Sequence, residues 1–133
     1  MPRFSSTSRE RLETCHPKLQ ELLNEAIKVF DFTVLKGHRS EEEQNDAYVN
    51  GNSTLKWPES KHNKVPSHAV DIAPYPIDWN NITRFAHLQG FIRGLAYERG
   101  INVRFGCDWD MDGEITDHDF MDWPHLEILV NDE

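Results

Sequence analysis

Polar and apolar positions along this chain follow two periods. Over longer stretches the apolar residues recur every three or four positions, as on one face of a helix; over short stretches they alternate, as on a strand. Leu19, Leu22, Leu23, Ala26, Ile27 and Phe30 follow Pro17, a residue suited to the first helical position, and predict an amphipathic helix over 17–30. Thr7 and Glu10 have capping-box spacing and predict a shorter helix before it. Ser40 and Glu43 repeat that spacing and open a helix ending near Gly51. Ile82, Phe85, Ala86, Gln89, Ile92 and Ala96 share a face over 82–99, where Gly100 is placed to stop the helix. Strands are predicted at 32–37, 69–73, 101–106 and 125–130, with loops over 52–67 and 107–122. Helices and strands mix without a βαβ rhythm. The expectation is a single α+β domain over 1–133, with a small, mostly antiparallel sheet backed by helices.

Composition narrows the class. In 133 residues, 38% hydrophobic and 28% charged positions are an ordinary globular balance, and one domain of this length buries its own core. A formal net charge of −9 argues against nucleic acid as a partner. No apolar run is long enough to span a membrane. The opening MPRFSSTSRERLE lacks the apolar core of a signal peptide, so synthesis as a soluble cytosolic product is expected. Cys15 and Cys107 are too few for a disulfide framework and lack zinc-ribbon spacing; they read as reduced and structural.

Two segments carry the chemistry. SKHNKVPSHAVD, 60–71, holds two imidazoles and a carboxylate, and DWPHLEIL, 122–129, brings another His with a carboxylate three residues before it. Open catalytic zinc sites use three protein ligands, leave a fourth position to solvent and keep a base nearby. A single His is more often a core or surface residue than a ligand; the combination is what points to metal. His62 and His68 both lie in the first block. On a strand, His68 and Asp71 are an odd number of residues apart and face opposite ways, which favours His62 as the partner of Asp71. His118 reads as an exposed loop histidine.

S-K-H followed by A-V-D, and then D-W-P-H-L-E, resembles the signature of the D-Ala-D-Ala peptidase and L-alanyl-D-glutamate endopeptidase family, which is grouped with lysostaphin-type and hedgehog-like zinc folds. The likeness extends over nearly the whole chain, through HPKLQELLNEAI, GHRSEEEQ and RFGCDWDMDG, and is strongest to phage endolysins that cut the peptidoglycan stem peptide. It implies His62, Asp71 and His125 as zinc ligands, Asp122 as general base and then acid, and Arg39 near the scissile carbonyl, where a guanidinium can stabilise an oxyanion or hold a carboxylate. Ser60 and Gln44 match positions near substrate. The chain departs from the shortest form of the pattern: eight residues rather than six separate His62 from Asp71, and Ser67 stands where that form has glycine. The function implied is a zinc endopeptidase for the L-Ala to D-Glu amide, acting as a monomer on the stem peptide, made in the host cytoplasm and reaching the wall after release. A D-Ala-D-Ala carboxypeptidase or dipeptidase on the same site, or a metal-containing wall-binding module without turnover, are the alternatives.

Asp108, Asp110 and Asp112, followed by Gly113 and then Asp119, reproduce the ligand spacing of a calcium loop, with Asp where an EF-hand carries Glu. The alternative is a solvated acidic turn. A cation there would order the strand carrying His125 and raise activity.

Overall fold

The computed structural model describes residues 2–111, 113 and 122–130. Helices α1 (Ser6–Leu12), α2 (Pro17–Ala26), α3 (Glu41–Val49) and α4 (Ile82–Arg99) accompany strands β1 (Phe32–Lys36), β2 (Ala69–Pro74), β3 (Val103–Phe105) and β4 (His125–Ile128). The strands form one sheet in the order β1-β2-β4-β3, each neighbouring pair antiparallel. The architecture is α+β, as the sequence predicts.

Strand alternation divides this sheet into two chemically different faces. Val34 pairs with Ile72, Val70 with Leu126, and Leu126 with Phe105; all are buried and belong to the hydrophobic core. Leu19, Leu22 and Leu23 of α2, and Leu88, Ile92 and Ala96 of α4, close that core from the helical side. The intervening residues point the other way: Asp71 pairs with His125, Ala69 with Glu127, and Glu127 with Arg104. The sheet therefore carries its ionisable residues together on the face turned from the core.

The helix boundaries differ locally from those predicted. Ser5, not Thr7, caps α1: its extended backbone lets Oγ accept from the Ser8 N–H, and Thr7 lies inside the first turn. Helix α2 ends at Ala26; residues 27–30 continue as tight turns, with Lys28 N–H bonded to the Glu25 carbonyl and Val29 N–H to that of Ala26. The Ser40/Glu43 capping box forms as expected, and Gly100 ends α4 with φ +70°, a left-handed conformation that glycine adopts without strain. Inside the predicted 52–67 loop, Lys61–Asn63 make one 3₁₀ turn.

Leu126 is fully buried and meets strands on both sides. Leu126→Ala should lower unfolding stability by about 2–4 kcal/mol through lost burial and a residual cavity. Denaturant unfolding measures this; a change under 1 kcal/mol, about a fivefold shift in equilibrium, would mean the sheet does not depend on this contact.

Candidate metal centre

His62 is aimed by a local cap and by a contact from a distant part of the chain. Ser60 caps the 3₁₀ turn, its Oγ accepting from the His62 N–H at 3.2 Å. The imidazole Nδ1 lies 2.7 Å from the Gly37 carbonyl. A carbonyl can only accept, so Nδ1 carries the hydrogen and Nε2 presents its lone pair. Gly37 is where β1 passes close to the end of α1; a Cβ there would collide with Thr14 Oγ1 and the Arg11 carbonyl.

His125 is held in the opposite sense. Its Nε2 lies 2.9 Å from Glu127 Oε1, two residues along the same strand face, which leaves Nδ1 directed at Asp71. His62 Nε2 stands 3.3 Å from Asp71 Oδ1, and His125 Nδ1 stands 3.5 Å from the same oxygen. These separations exceed well-formed hydrogen bonds of about 2.7–3.2 Å. They match the ligand–ligand edge of about 3.4 Å in a tetrahedron with metal bonds of about 2.0–2.1 Å. One atom from each of His62, Asp71 and His125 lies within 4.8 Å of the other two. Among the described residues this is the group of three or more His, Cys, Asp or Glu side chains able to hold a metal ion. Two imidazole nitrogens and a carboxylate oxygen fit zinc by donor type and by spacing.

The electrostatics agree. Burial would raise the pKa of Asp71, but its interactions with His62 and His125 outweigh it and hold the carboxyl well below the usual range. Burial would lower that of His125; bonding to Asp71 and Glu127 outweighs it and raises the value to about 9 in the metal-free protein.

Asp122 sits at the turn into β4. Its N–H donates to the Gly106 carbonyl at 2.9 Å, and its own carbonyl accepts from the His125 N–H at 3.1 Å. A Cβ on Gly106 would collide with the Asp122 carbonyl oxygen, so glycine is needed for this approach. Gln89, buried on α4, donates Nε2 to the Trp123 carbonyl at 2.6 Å and fixes the turn from the core side. Burial raises the Asp122 pKa, and the Asp71 charge adds to the rise. His62, Asp71, His125, Asp122 and Arg39 all line one cleft of about 800 Å³.

The remaining sequence-predicted residues divide. Arg39 reaches the site, with Nη2 3.8 Å from Asp71 Oδ2. Gln44 is fully buried behind it: Oε1 accepts from Arg39 Nη1 at 2.9 Å and Nε2 donates to the Leu55 carbonyl at 2.7 Å. Its amide is thus engaged with Arg39 and the 53–55 loop, and Gln44 is not among the residues lining the cleft. Ser60 lines the cleft, but its hydroxyl serves the His62 turn. His68 lies away from the cluster, edge-on to the His16 ring at 5.6 Å. Asp108 Oδ2 accepts from the Gly113 N–H at 2.8 Å and stands 3.3 Å from Arg93 Nη1, and Asp110 is exposed. Asp112, Asp119 and His118 lie outside the described residues. The sequence reading overlooked Gly37, Gly106 and Glu127. For Glu127 a signal existed, since residues two apart on a strand share a face; the two glycines had none, because their neighbours are distant in sequence.

His62 from the 3₁₀ turn, with Asp71 and His125 from one sheet face, forms a group that could hold a metal ion, with an arginine and a carboxylate of raised pKa in the same cleft, an arrangement consistent with a metallopeptidase. The model of the phage L-alanyl-D-glutamate peptidase family matches residues 1–129, and the chain belongs to that family. It is 33% identical over 135 residues to the L-alanyl-D-glutamate peptidase of Escherichia phage T5, covering 96% of this chain and 98% of that one. Its fold is similar to the crystal structure of the Serratia marcescens L-Ala D-Glu endopeptidase ChiX, with a TM-score of 0.75, 26% identity, and coverage of 96% of this chain and 91% of that one.

Metal must displace the proton that His125 holds up to about pH 9. Apparent zinc affinity should therefore fall as pH is lowered below that value, by up to about tenfold per pH unit for one displaced proton. Calorimetry in buffers of different ionisation enthalpy measures the release; proton-independent uptake would remove His125 from the ligand set.

Proposed function

We propose that the chain is a zinc-dependent peptidoglycan endopeptidase that hydrolyses the L-Ala to D-Glu amide of the stem peptide, with residues 1–133 acting as one catalytic domain. The observation that carries this is the convergence of His62 Nε2, Asp71 Oδ1 and His125 Nδ1 within a cleft that also holds Asp122. The family match and the activities for which the two relatives are named support the bond assigned. Zinc, when bound, supplies Lewis acidity toward the scissile carbonyl and toward water.

The chain's own groups do the rest. Gly37 and Glu127 fix opposite ring nitrogens of the two histidines, so each offers one lone pair toward Asp71. Asp122, its pKa raised by burial, takes a proton from the attacking water and returns it to the leaving amine. Arg39, kept in place by Gln44, stabilises negative charge developing on the carbonyl oxygen. Among the described residues no helix is long and apolar enough to cross a membrane. Synthesis in the host cytoplasm and release to the wall, causing lysis, complete the reading.

Incubation with purified sacculi, with and without zinc chelation, should yield new L-Ala C-termini by mass spectrometry only when zinc is present. Release of D-Ala in their place would establish the carboxypeptidase alternative; no cleavage would leave a wall-binding module. Asp122→Ala should lower turnover by about 10²–10⁴-fold with zinc still bound. Unchanged turnover would show that another group moves the proton.

We also propose that 108–119 holds calcium. Gly113, at φ +84°, turns the chain so that its N–H meets Asp108, the first position of the spacing, although Arg93 stands beside the same carboxylate. Calcium added to chelator-cleaned, zinc-reloaded protein should raise both melting temperature and activity. No change in either would leave an acidic turn.

A further inference from the structure

Across the cleft from Arg39 lies a second arginine that the hydrolytic scheme does not use. Arg104 is on β3 directly opposite Glu127, on the sheet face that carries Asp71 and His125. It lines the same cleft, and its side chain is 35% exposed. Its Nη2 donates to Glu127 Oε2 at 2.9 Å, and its guanidinium carbon stands 5.5 Å from the centre of the Trp109 ring. The plane is thus held from two sides. Among the described residues Glu127 is the acceptor that meets it, while Nε is buried and has no hydrogen-bond partner there.

The charge around the centre gives this residue a task. Asp71, Asp122, Glu127 and Glu59 place four carboxylates in the cleft, against Arg39, Lys61 and Arg104, in a chain with net charge −9. A substrate bringing its own carboxylate beside the scissile bond would be repelled unless a fixed cation met it. Arg39 is engaged by Gln44 and lies beside Asp71. Arg104 sits at the far edge of the sheet from β1, about one strand spacing of 4.8 Å from the strand that carries His125. A planar, immobilised guanidinium suits a carboxylate better than a carboxamide, because the amide brings N–H donors against donors and carries no charge.

We infer that Arg104 is a specificity-determining residue that binds the free α-carboxylate of the D-Glu residue following the scissile amide. This rests on the hydrolytic reading above, and names which substrates that site prefers: stem peptides with D-glutamate over those amidated to D-isoglutamine. The α-carboxylate is only a few bonds from the scissile carbonyl, whereas the L-Ala side of the bond carries no comparable charge. The substrate's anionic half would then lie over β3 and its neutral half toward β1.

The test uses two peptides, L-Ala-γ-D-Glu-L-Lys and its α-carboxamide, with the zinc-loaded full chain. Wild type should show a kcat/KM ratio of acid to amide of about tenfold or more. In Arg104→Gln that ratio should collapse toward one, with the loss on the acid mainly in KM; Arg104→Lys, which keeps the charge but not the fork, should fall between them. If Arg104 served only to hold Glu127 and, through it, His125, both substrates would lose rate equally and zinc content would drop, and the inference would fail. A wild type that does not prefer the acid also overturns it. Cleavage of neither peptide, together with intact sacculi, would instead remove the endopeptidase reading itself.

Discussion

Asp71 and His125 face each other across one rung of the β2–β4 ladder, and the rest of the molecule depends on that pairing. The adjacent rung is Val70 against Leu126, both fully buried on the opposite face. Because side chains alternate, slipping the register by one residue would drive two ionisable groups into the core and expose two aliphatic ones. The hydrophobic core thus enforces the register that assembles the metal centre. Stability and chemistry are set by the same hydrogen-bond ladder, read from its two sides.

Around that rung the site is built from groups that limit one another. A carbonyl accepts from one ring nitrogen of His62 and a carboxylate from the opposite ring nitrogen of His125, so the two histidines offer different nitrogens to a shared oxygen neighbour. Such fixing of the far nitrogen sets ring orientation and strengthens the near one as a ligand. Close backbone approaches supply the remaining precision. Gly37 lets β1 reach the end of α1, and Gly106 lets β3 reach Asp122, at two points where a methyl group has no room. Four carboxylates line the cleft, an excess of negative charge that two arginines and Lys61 offset only in part. A divalent cation held by His62, Asp71 and His125, whose ligand atoms have suitable spacing, would offset the remainder.

Much of the fold was legible because its signals are local. Capping pairs, the glycine stop after α4 and strand alternation act over two to four residues, and the α+β class follows from their order. The histidines and aspartate singled out from two separated blocks do come together in space, since both blocks lead into or lie on strands whose faces could be counted. Where local signals competed, the reading slipped: Ser5 outcompeted Thr7 as a cap because the cap is decided by which residue keeps an extended backbone.

By itself, then, the sequence determined which elements form, which face of each strand is apolar, and which residue types are available for metal chemistry. Tertiary structure decided which ring nitrogen each histidine presents, that Gln44 stands behind Arg39 instead of in the cleft, and that Glu127 and Arg104 join the site from beside His125. The physical reason is range. Periodicity is written in neighbours along the chain, whereas Gly37 beside His62 or Arg104 opposite Glu127 join residues more than twenty positions apart, and only the paths of the connecting loops fix those contacts.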